Sequence, residues 1–448
     1  MPNLQLGEDD LCARDIFVFN QYPERSYVER EQYRLLKSEL ESTSSTIIKV
    51  YGPSRVGKSM LVEHCLRVES IKQNRIIQIE GASVRRMEQF MNELLHQLNI
   101  VVDSTDDTNG TSVNIGFFKF DLTRKDSRTE QAKEQFVRSK LLSESTILII
   151  DDFHYIPKDE RSKIMRYLKA WTGGIRVGEK YTLKVIILFV PAKEIHESPI
   201  WQELQGRLTP VNFTLWKVEE LQRIMSEQFN NVQTFAQGLA KLATECYGLP
   251  IIMQRFCLTY FNKYHNGYIP ARERVQISEE RVHAVCNQVG LLLWNEGNEQ
   301  LYRELISQDS LAVGGNFIVP KINNKRGNIN QIIWYALTSQ EFKGQRDIVV
   351  REAIEIETEA VIRRMRKVSH ISADILSDNE ISHCIDYMSQ KAHAKYIERL
   401  RNKTNPDEFI SDPIIEYNAE KGLFKVFSPS FFVALRHSGE QESYFKRN

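Results

Sequence analysis

Gly52-Pro53-Ser54-Arg55-Val56-Gly57-Lys58-Ser59 is the stretch on which the reading of this chain turns. It fits the spacing G-x-x-x-x-G-K-[S/T] and lies between the β-branched run Thr46–Tyr51 and a helical pattern over Lys58–Val68. Each residue type has a chemical reason to be there. Gly52 and Gly57 permit a tight loop whose backbone N–H groups can face an anion. The helix that follows adds the positive end of its dipole. Lys58 supplies a point charge for β- and γ-phosphates, and the Ser59 hydroxyl is a hard oxygen ligand for Mg²⁺. Pro53, Ser54, Arg55 and Val56 complete the loop and Met60 sits in the helix's first turn, so candidate nucleotide contacts run from Gly52 to Met60.

Downstream, Ile147-Leu148-Ile149-Ile150-Asp151-Asp152 reads as an apolar strand delivering two acids at its carboxyl end. Ligands of open α/β sheets bind at that end. Asp151 would hold Mg²⁺, directly or through water, and Asp152 would orient or deprotonate an attacking water. An Asp-Asp pair after a strand is by itself usually a turn or cap. Following a phosphate loop, it points to phosphoryl chemistry.

Strand and helix signals alternate around these two elements. Arg75–Glu80 and Leu183–Val190 read as strands, and Val84–Leu98 and Lys158–Trp171 as helices. Short, wholly apolar strands alternating with helices predict a parallel sheet covered on both faces. Val101–Arg128 interrupts the alternation with a polar stretch, the alternating run SVNIGFFKFDL and a charged run, which reads as an inserted loop or small hairpin. After Thr214 the pattern turns helical over Val218–Phe229, Gln233–Tyr247 and Ile251–Tyr264. The expected organisation is a lead-in over 1–45 and an α/β core over 46–215 with the insertion at about 101–130. A helical lid over 216–290 and a mostly helical domain over 291–448 complete it. In that last part, Arg351–Val368 and Asn379–Arg401 are expected as helices. Ile414–Tyr417 and Leu423–Phe427 are expected as a two-stranded hairpin.

Bulk properties narrow the classes. The 448 residues allow several domains. Fifty-nine basic residues balance 59 acidic ones, which excludes a wholesale polycation and permits a local basic surface. The longest apolar runs, near Ile147–Ile150 and Val185–Val190, are far short of the ~18–20 residues that cross a bilayer, so no membrane partner is expected. The acidic start, MPNLQLGEDDLCARD, has no signal-like apolar core, which gives a cytoplasmic expectation. Six scattered cysteines with no C-x-x-C pair read as reduced core residues.

Together the phosphate loop and the acid-tipped strand resemble the Walker A and Walker B motifs of P-loop NTPases. The placement of the helices narrows the resemblance to the AAA+ and STAND ATPases, near their origin-recognition initiator-like branch. Tyr27-Val28-Glu29-Arg30 looks like the hydrophobic-Arg-Glu motif that covers the adenine in this group. That resemblance implies base contacts from Tyr27, Val28 and Arg30. Gly248-Leu249-Pro250 is similar to the G-x-P motif of STAND lids, whose proline, here Pro250, packs near the base. Arg207 stands where such families carry an arginine that acts on the γ-phosphate of a neighbouring subunit. Helices followed by a hairpin look like the winged-helix domain of initiator-type ATPases.

The chain also departs from that pattern. The strand expected to carry a polar sensor residue ends Leu188-Phe189-Val190-Pro191-Ala192, and the lid offers only Arg255 as a sensor arginine. Slow hydrolysis by a long-lived ATP-bound switch fits these gaps. Guanine recognition is disfavoured because the nearest string to N-K-x-D is Asn324-Lys325-Arg326-Gly327. The implied partners are a second copy of the chain in an ATP-dependent oligomer, DNA, and an effector or other protein. DNA contacts are expected from Arg363 and Arg364 on one helix and from Lys391, Lys395 and Arg399 at four-residue spacing on another. Residues 351–448 nevertheless hold fifteen basic against sixteen acidic residues. Antiviral defence or a mobile element, replication initiation or transposon target selection, and a non-hydrolysing nucleotide-binding scaffold remain the competing roles.

Overall fold

The apolar runs become strands, and the sheet they build explains their composition. In this computed structural model the described residues are 11–19, 21–99, 112–115, 118–121, 135–173, 181–190, 201, 204, 208–226, 236–270, 275, 277–306, 321–322, 325–326, 329–338, 348–350, 354–369, 377–402, 415–418, 421–426, 428–440 and 446–447. Strands β1 (Thr46–Tyr51), β2 (Arg75–Glu80), β3 (Thr146–Asp151), β4 (Leu183–Phe189) and β5 (Leu208–Asn212) form one five-stranded sheet. Its order is β2-β3-β4-β1-β5, and every neighbouring pair runs parallel. All residues of β4, and all of β3 except Asp151, are at least nine-tenths buried, as a sheet covered on both faces requires.

Strand period two sorts the side chains into two cores. Ile48, Val50, Ile147, Ile149, Ile186 and Leu188 face one side. There they meet Leu36 and Leu40 of α1 (Glu31–Glu41) and Leu61, Val62 and Cys65 of α2 (Lys58–Leu66). Ile47, Leu148, Ile150, Val185 and Ile187 face the other side. They pack on Phe90 and Leu94 of α3 (Met87–Gln97) and on Ile164, Leu168 and Trp171 of α4 (Lys158–Thr172). Full burial of each such aliphatic side chain contributes roughly 1.5–3 kcal/mol. The shared register aligns the carboxyl ends, Tyr51 beside Phe189 and Glu80 beside Asp151, so β1 feeds its loop to the edge at which β3 presents its acids.

The first core continues without a break into α5 (Val218–Ser226), α6 (Ala236–Thr244), α7 (Pro250–Tyr264) and α8 (Glu279–Leu293), through Leu221, Leu242, Met253, Phe256 and Val285. Two short strands, Leu11–Cys12 and Tyr268–Ile269, pair antiparallel and tie the lead-in to the end of α7. Beyond α8 a π-helical segment, Trp294–Asn298, kinks at Gly297 (φ 103°) before α9 (Glu299–Ile306). Within the insertion, Ser112–Ile115 and Phe118–Asp121 form an antiparallel hairpin. Five of the six cysteines are buried and none is in a disulfide. Among the described residues, no helix is long and apolar enough to cross a membrane.

The C-terminal region runs α10 (Ile329–Thr338), β6 (Ile348–Val350), β7 (Ile354–Glu357), α11 (Thr358–Ser369) and α12 (Asp378–Asn402). It ends with β8 (Ile415–Asn418), β9 (Leu423–Val426) and α13 (Pro429–Ser438). One expectation is corrected here. The helix read over Arg351–Val368 begins only at Thr358, because Ile354-Glu355-Ile356-Glu357 alternates with period two and buries both isoleucines as a strand. The expected hairpin is present as β8–β9, and β9 also pairs with β7 in a four-stranded antiparallel sheet of order β6-β7-β9-β8. Helix α13 lies against α8 so closely that a Cβ at Gly290 would sit 2.5 Å from that of His437.

Candidate nucleotide site

Gly57 begins the site's architecture. Its left-handed backbone (φ 94°) turns the chain from the loop into α2, and the Gly57 carbonyl accepts the first helical hydrogen bond, from Leu61 N–H, at 3.0 Å. Arg55 (φ 63°) is left-handed as well, an unfavourable conformation for a residue with a Cβ, and strain of this kind concentrates at functional sites. The Lys58 ammonium donates to the carbonyls of Gly52 at 2.9 Å and Pro53 at 2.7 Å, which holds its charge across the loop. The Val56 carbonyl accepts from the Trp216 indole N–H at 2.9 Å.

The acids arrive from β3. Ser59 Oγ donates to Asp151 Oδ2 at 2.9 Å, joining the loop helix to the strand tip. The other Asp151 oxygen, Oδ1, accepts from Asp152 N–H at 2.8 Å, which organises the turn that puts Asp152 at φ 49°. Mg²⁺ takes oxygen ligands and in nucleotide sites uses one or two protein ligands, completing its shell with phosphates and water. A hydroxyl and a carboxylate already in contact fit that donor set. Among the described residues no cluster of three His, Cys, Asp or Glu offers an alternative all-protein metal cage.

Two further polar groups stand beside the acids. Glu80 ends β2 in register with Asp151, and burial followed by the Asp151 charge raises its pKa. His154, in the short helical turn after Asp152, has a side chain only 5% exposed. Burial first, then the charges of Lys58 and Arg161, push its pKa down to about 3, so the ring is neutral at physiological pH. The Val190 N–H just beyond β4 donates to its Nδ1 at 3.4 Å, and the same nitrogen lies 3.9 Å from Asp152 Oδ1. Nothing in the residue order announced either group, because each depends on which strand lies alongside β3. The acid ending both Arg75–Glu80 and Thr146–Asp151 was the one available hint for Glu80.

The lead-in and lid motifs converge on the loop. Tyr27 stacks on His64 of α2 with ring centroids 4.0 Å apart, and Val28 is buried. Arg30 is committed elsewhere: its guanidinium pairs with both Glu220 oxygens at 3.0 and 3.2 Å and lies over the Trp216 ring. Arg30 thus braces the joint between β5 and α5. Pro250 opens α7, and the Gly248 carbonyl accepts from Trp216 N–H at 2.9 Å. Trp216 therefore links the phosphate loop to the Gly248-Leu249-Pro250 turn. Arg255 forms an ion pair with Glu296 at 2.7 Å, and its charge reaches Arg55 in the loop.

Other candidates separate. Arg207 lies outside the described residues, immediately before β5. Arg363 is exposed on α11, but the adjacent Arg364 is 2% exposed with its guanidinium toward the Leu337 carbonyl at 3.4 Å. One arginine is exposed and its neighbour buried, which corrects their expected joint role at a surface. Lys391, Lys395 and Arg399 lie along α12, with side chains outside the described set.

Residues 41–197 match a family model described as an AAA domain. No curated protein matches the chain. Among solved structures, Cdc6p from Pyrobaculum aerophilum is similar at 11% identity, covering 96% of this chain and 98% of its own, with a TM-score of 0.41. A Walker-type ATPase of Pyrococcus abyssi is similar at 14% identity over 94% and 99%, with a TM-score of 0.43. The ORC2 protein of Aeropyrum pernix, solved as ADPNP–ADP complexes, is similar at 12% identity over 96% and 98%, with a TM-score of 0.46. With its glycine-turned phosphate loop joined through Ser59 to an acid-tipped central strand, the segment 41–197 is an AAA domain of the P-loop ATPase type.

Proposed function

We propose that the chain binds ATP with Mg²⁺ and hydrolyses it slowly, as a nucleotide-dependent switch. The observation that carries this reading is the 2.9 Å contact between Ser59 and Asp151, which brings a phosphate loop and an acidic strand tip into one site. Lys58 neutralises the β- and γ-phosphates, and the loop N–H groups with the α2 dipole hold the chain of phosphates in place. Ser59 and Asp151 hold the cation. Mg²⁺, when bound, neutralises charge building on the transferred phosphoryl oxygens. Asp152 accepts a hydrogen bond from the attacking water and orients it in line with the leaving oxygen. Tyr27, Val28 and Pro250 border the base, and closure of α5–α8 against the loop favours the ATP-bound state by whatever binding energy ATP gains there over ADP.

Steady-state phosphate release, with ATP affinity measured alongside, tests this reading. Lys58→Ala should abolish ATP binding. Asp152→Asn should retain ATP while hydrolysis falls by about 10²-fold or more. Unaltered turnover in both variants would refute the assignment, and tight ATP binding without phosphate release by the wild-type chain would establish a non-hydrolysing scaffold instead.

The same switch is proposed to act on DNA as an ATP-dependent homo-oligomer, with Arg207 reaching a neighbour's γ-phosphate. The order α10, β6, β7, α11, α12 and hairpin β8–β9, with β7 paired to β9, is compatible with the proposed winged helix and supports this reading. Exposed Arg363 and the α12 row Lys391, Lys395 and Arg399 are the candidate phosphate contacts, while buried Arg364 is not one.

A further inference from the structure

We propose that Lys49 is a positioning residue for hydrolysis: its ammonium, set against the rings of Tyr51, Phe189 and Trp201, fixes Trp201 beneath the phosphate loop and the acid-bearing turn. The inference rests on the ATPase reading above and adds to that site a residue acting through others. Strand period two puts Lys49 on the same face of β1 as Ile47 and Tyr51, the face that packs on the second core. A lysine is out of place there. Its Nζ lies 4.4 Å from the Trp201 ring centroid, 4.8 Å from that of Tyr51 and 5.2 Å from that of Phe189. Among the described residues it has no hydrogen bond and no carboxylate partner, and burial lowers its pKa. Lys184 in β4 shows the usual arrangement, buried and donating to Ser42 Oγ and the Ser44 carbonyl. The attraction of a cation to ring faces offsets only part of the cost of withdrawing an ammonium from water. As a contribution to stability the arrangement is unfavourable, and such local costs concentrate at functional sites.

The rings explain what the lysine holds. Tyr51 immediately precedes Gly52 and stacks on Phe189, the last residue of β4, with centroids 5.9 Å apart. Trp201 stacks on the same Phe189 at 5.7 Å and meets Phe153, the residue after Asp152, edge-on at 6.4 Å. One indole thus ties together the ends of three adjacent strands: β1 with the loop, β3 with its acids, and β4 between them. Apolar packing is non-directional and by itself leaves the in-plane position of a stacked ring weakly determined. A point charge above the indole face determines it, and Trp201 is the ring that the ammonium approaches most closely. Phe153 shifts with Trp201, and Asp152 with Phe153. A misplacement of about 1 Å at a reacting group can cost up to about two orders of magnitude in rate.

Lys49→Met keeps the length of the side chain and removes its charge. Replacing a half-buried cation that lacks a counter-charge by an apolar chain should leave the melting temperature equal to wild type or higher. The same variant should release phosphate with a kcat about tenfold lower, at a KM for ATP close to wild type. Lys49→Arg, whose guanidinium also stacks on aromatic faces, should recover most of that kcat. Trp201→Leu should show the same loss of kcat, and adding Lys49→Met to it should cost little more, because both act through one contact. Wild-type kcat in Lys49→Met would overturn this inference. So would a kcat that falls only together with the melting temperature and is not recovered by arginine. In both cases an inactive Lys58→Ala beside an active wild type would leave the ATPase reading standing. A wild-type chain that releases no phosphate would overturn that reading, and this inference with it.

Discussion

Single residues carry the chemistry of this site, and several sit in backbone states that only their neighbours sustain. Asp152 at φ 49° is one, held by its N–H on Asp151 Oδ1. A left-handed residue with a Cβ costs roughly 1–2 kcal/mol. Gly81, which follows β2, lies directly under this turn. A Cβ there would stand 2.5 Å from the Asp152 carbonyl oxygen and 2.8 Å from that of Asp151. Both are backbone atoms and cannot swing aside. Gly81→Ala should therefore destabilise the protein by about 1–3 kcal/mol and lower phosphate release by displacing the acids, with thermal melts and turnover as the two readouts. A variant with wild-type melting and turnover would show that the turn accommodates the methyl group.

Among the elements, the loop helix α2 and strand β3 were legible in the sequence because each is locally over-determined. One has glycines at the required spacing, and the other is an unbroken apolar run. Segment Ile354–Glu357 fits a helix as well, because Ile354, Val361, Met365 and Val368 follow at seven-, four- and three-residue spacing, and a short alternating run is ambiguous until its partner strand is known. Helix α12 poses the converse case, with a basic row legible in the sequence and its contacts open to experiment. Charge reversal at Lys391 and Lys395 should weaken DNA binding at least tenfold at moderate salt. It should also flatten the dependence of affinity on salt by about two phosphate contacts, as read by anisotropy titration at several ionic strengths. Unchanged affinity and slope would remove α12 from the interface.

For the whole molecule, the fastening between the lid and the C-terminal helix is the contact with the widest reach. Glu245 Oε2 accepts from Arg436 Nε at 2.8 Å and lies 3.1 Å from His437 Nε2, with all three side chains at least 88% buried. Burial works against the Glu245 carboxylate, but hydrogen bonds and charge from His437 and Arg436 outweigh it and hold its pKa at about 2, below the ordinary 4.5. A depressed carboxylate stabilises the fold fully above its unfolded pKa and loses that contribution as pH falls through the folded one. Stability from this contact should thus persist at neutral pH and drain away between about pH 4.5 and 2. Glu245→Gln should destabilise by about 3 kcal/mol at pH 7, leaving Arg436 buried without its counter-charge. The difference from wild type should shrink toward pH 2, which melts across that range would reveal.

From its residue order alone, the chain determined a phosphate loop, an acid-tipped strand and a parallel sheet wrapped by helices. These follow from spacing and periodicity within a dozen residues, the range over which backbone geometry acts. Only the tertiary structure decided that Glu80 stands beside Asp151, that Val190 meets His154 across 36 residues and that Trp216 clasps the loop from 160 residues away. It likewise joined Arg436 to Glu245 across 191 residues. Those pairings depend on strand order and on the helix faces that meet, and no local pattern encodes either.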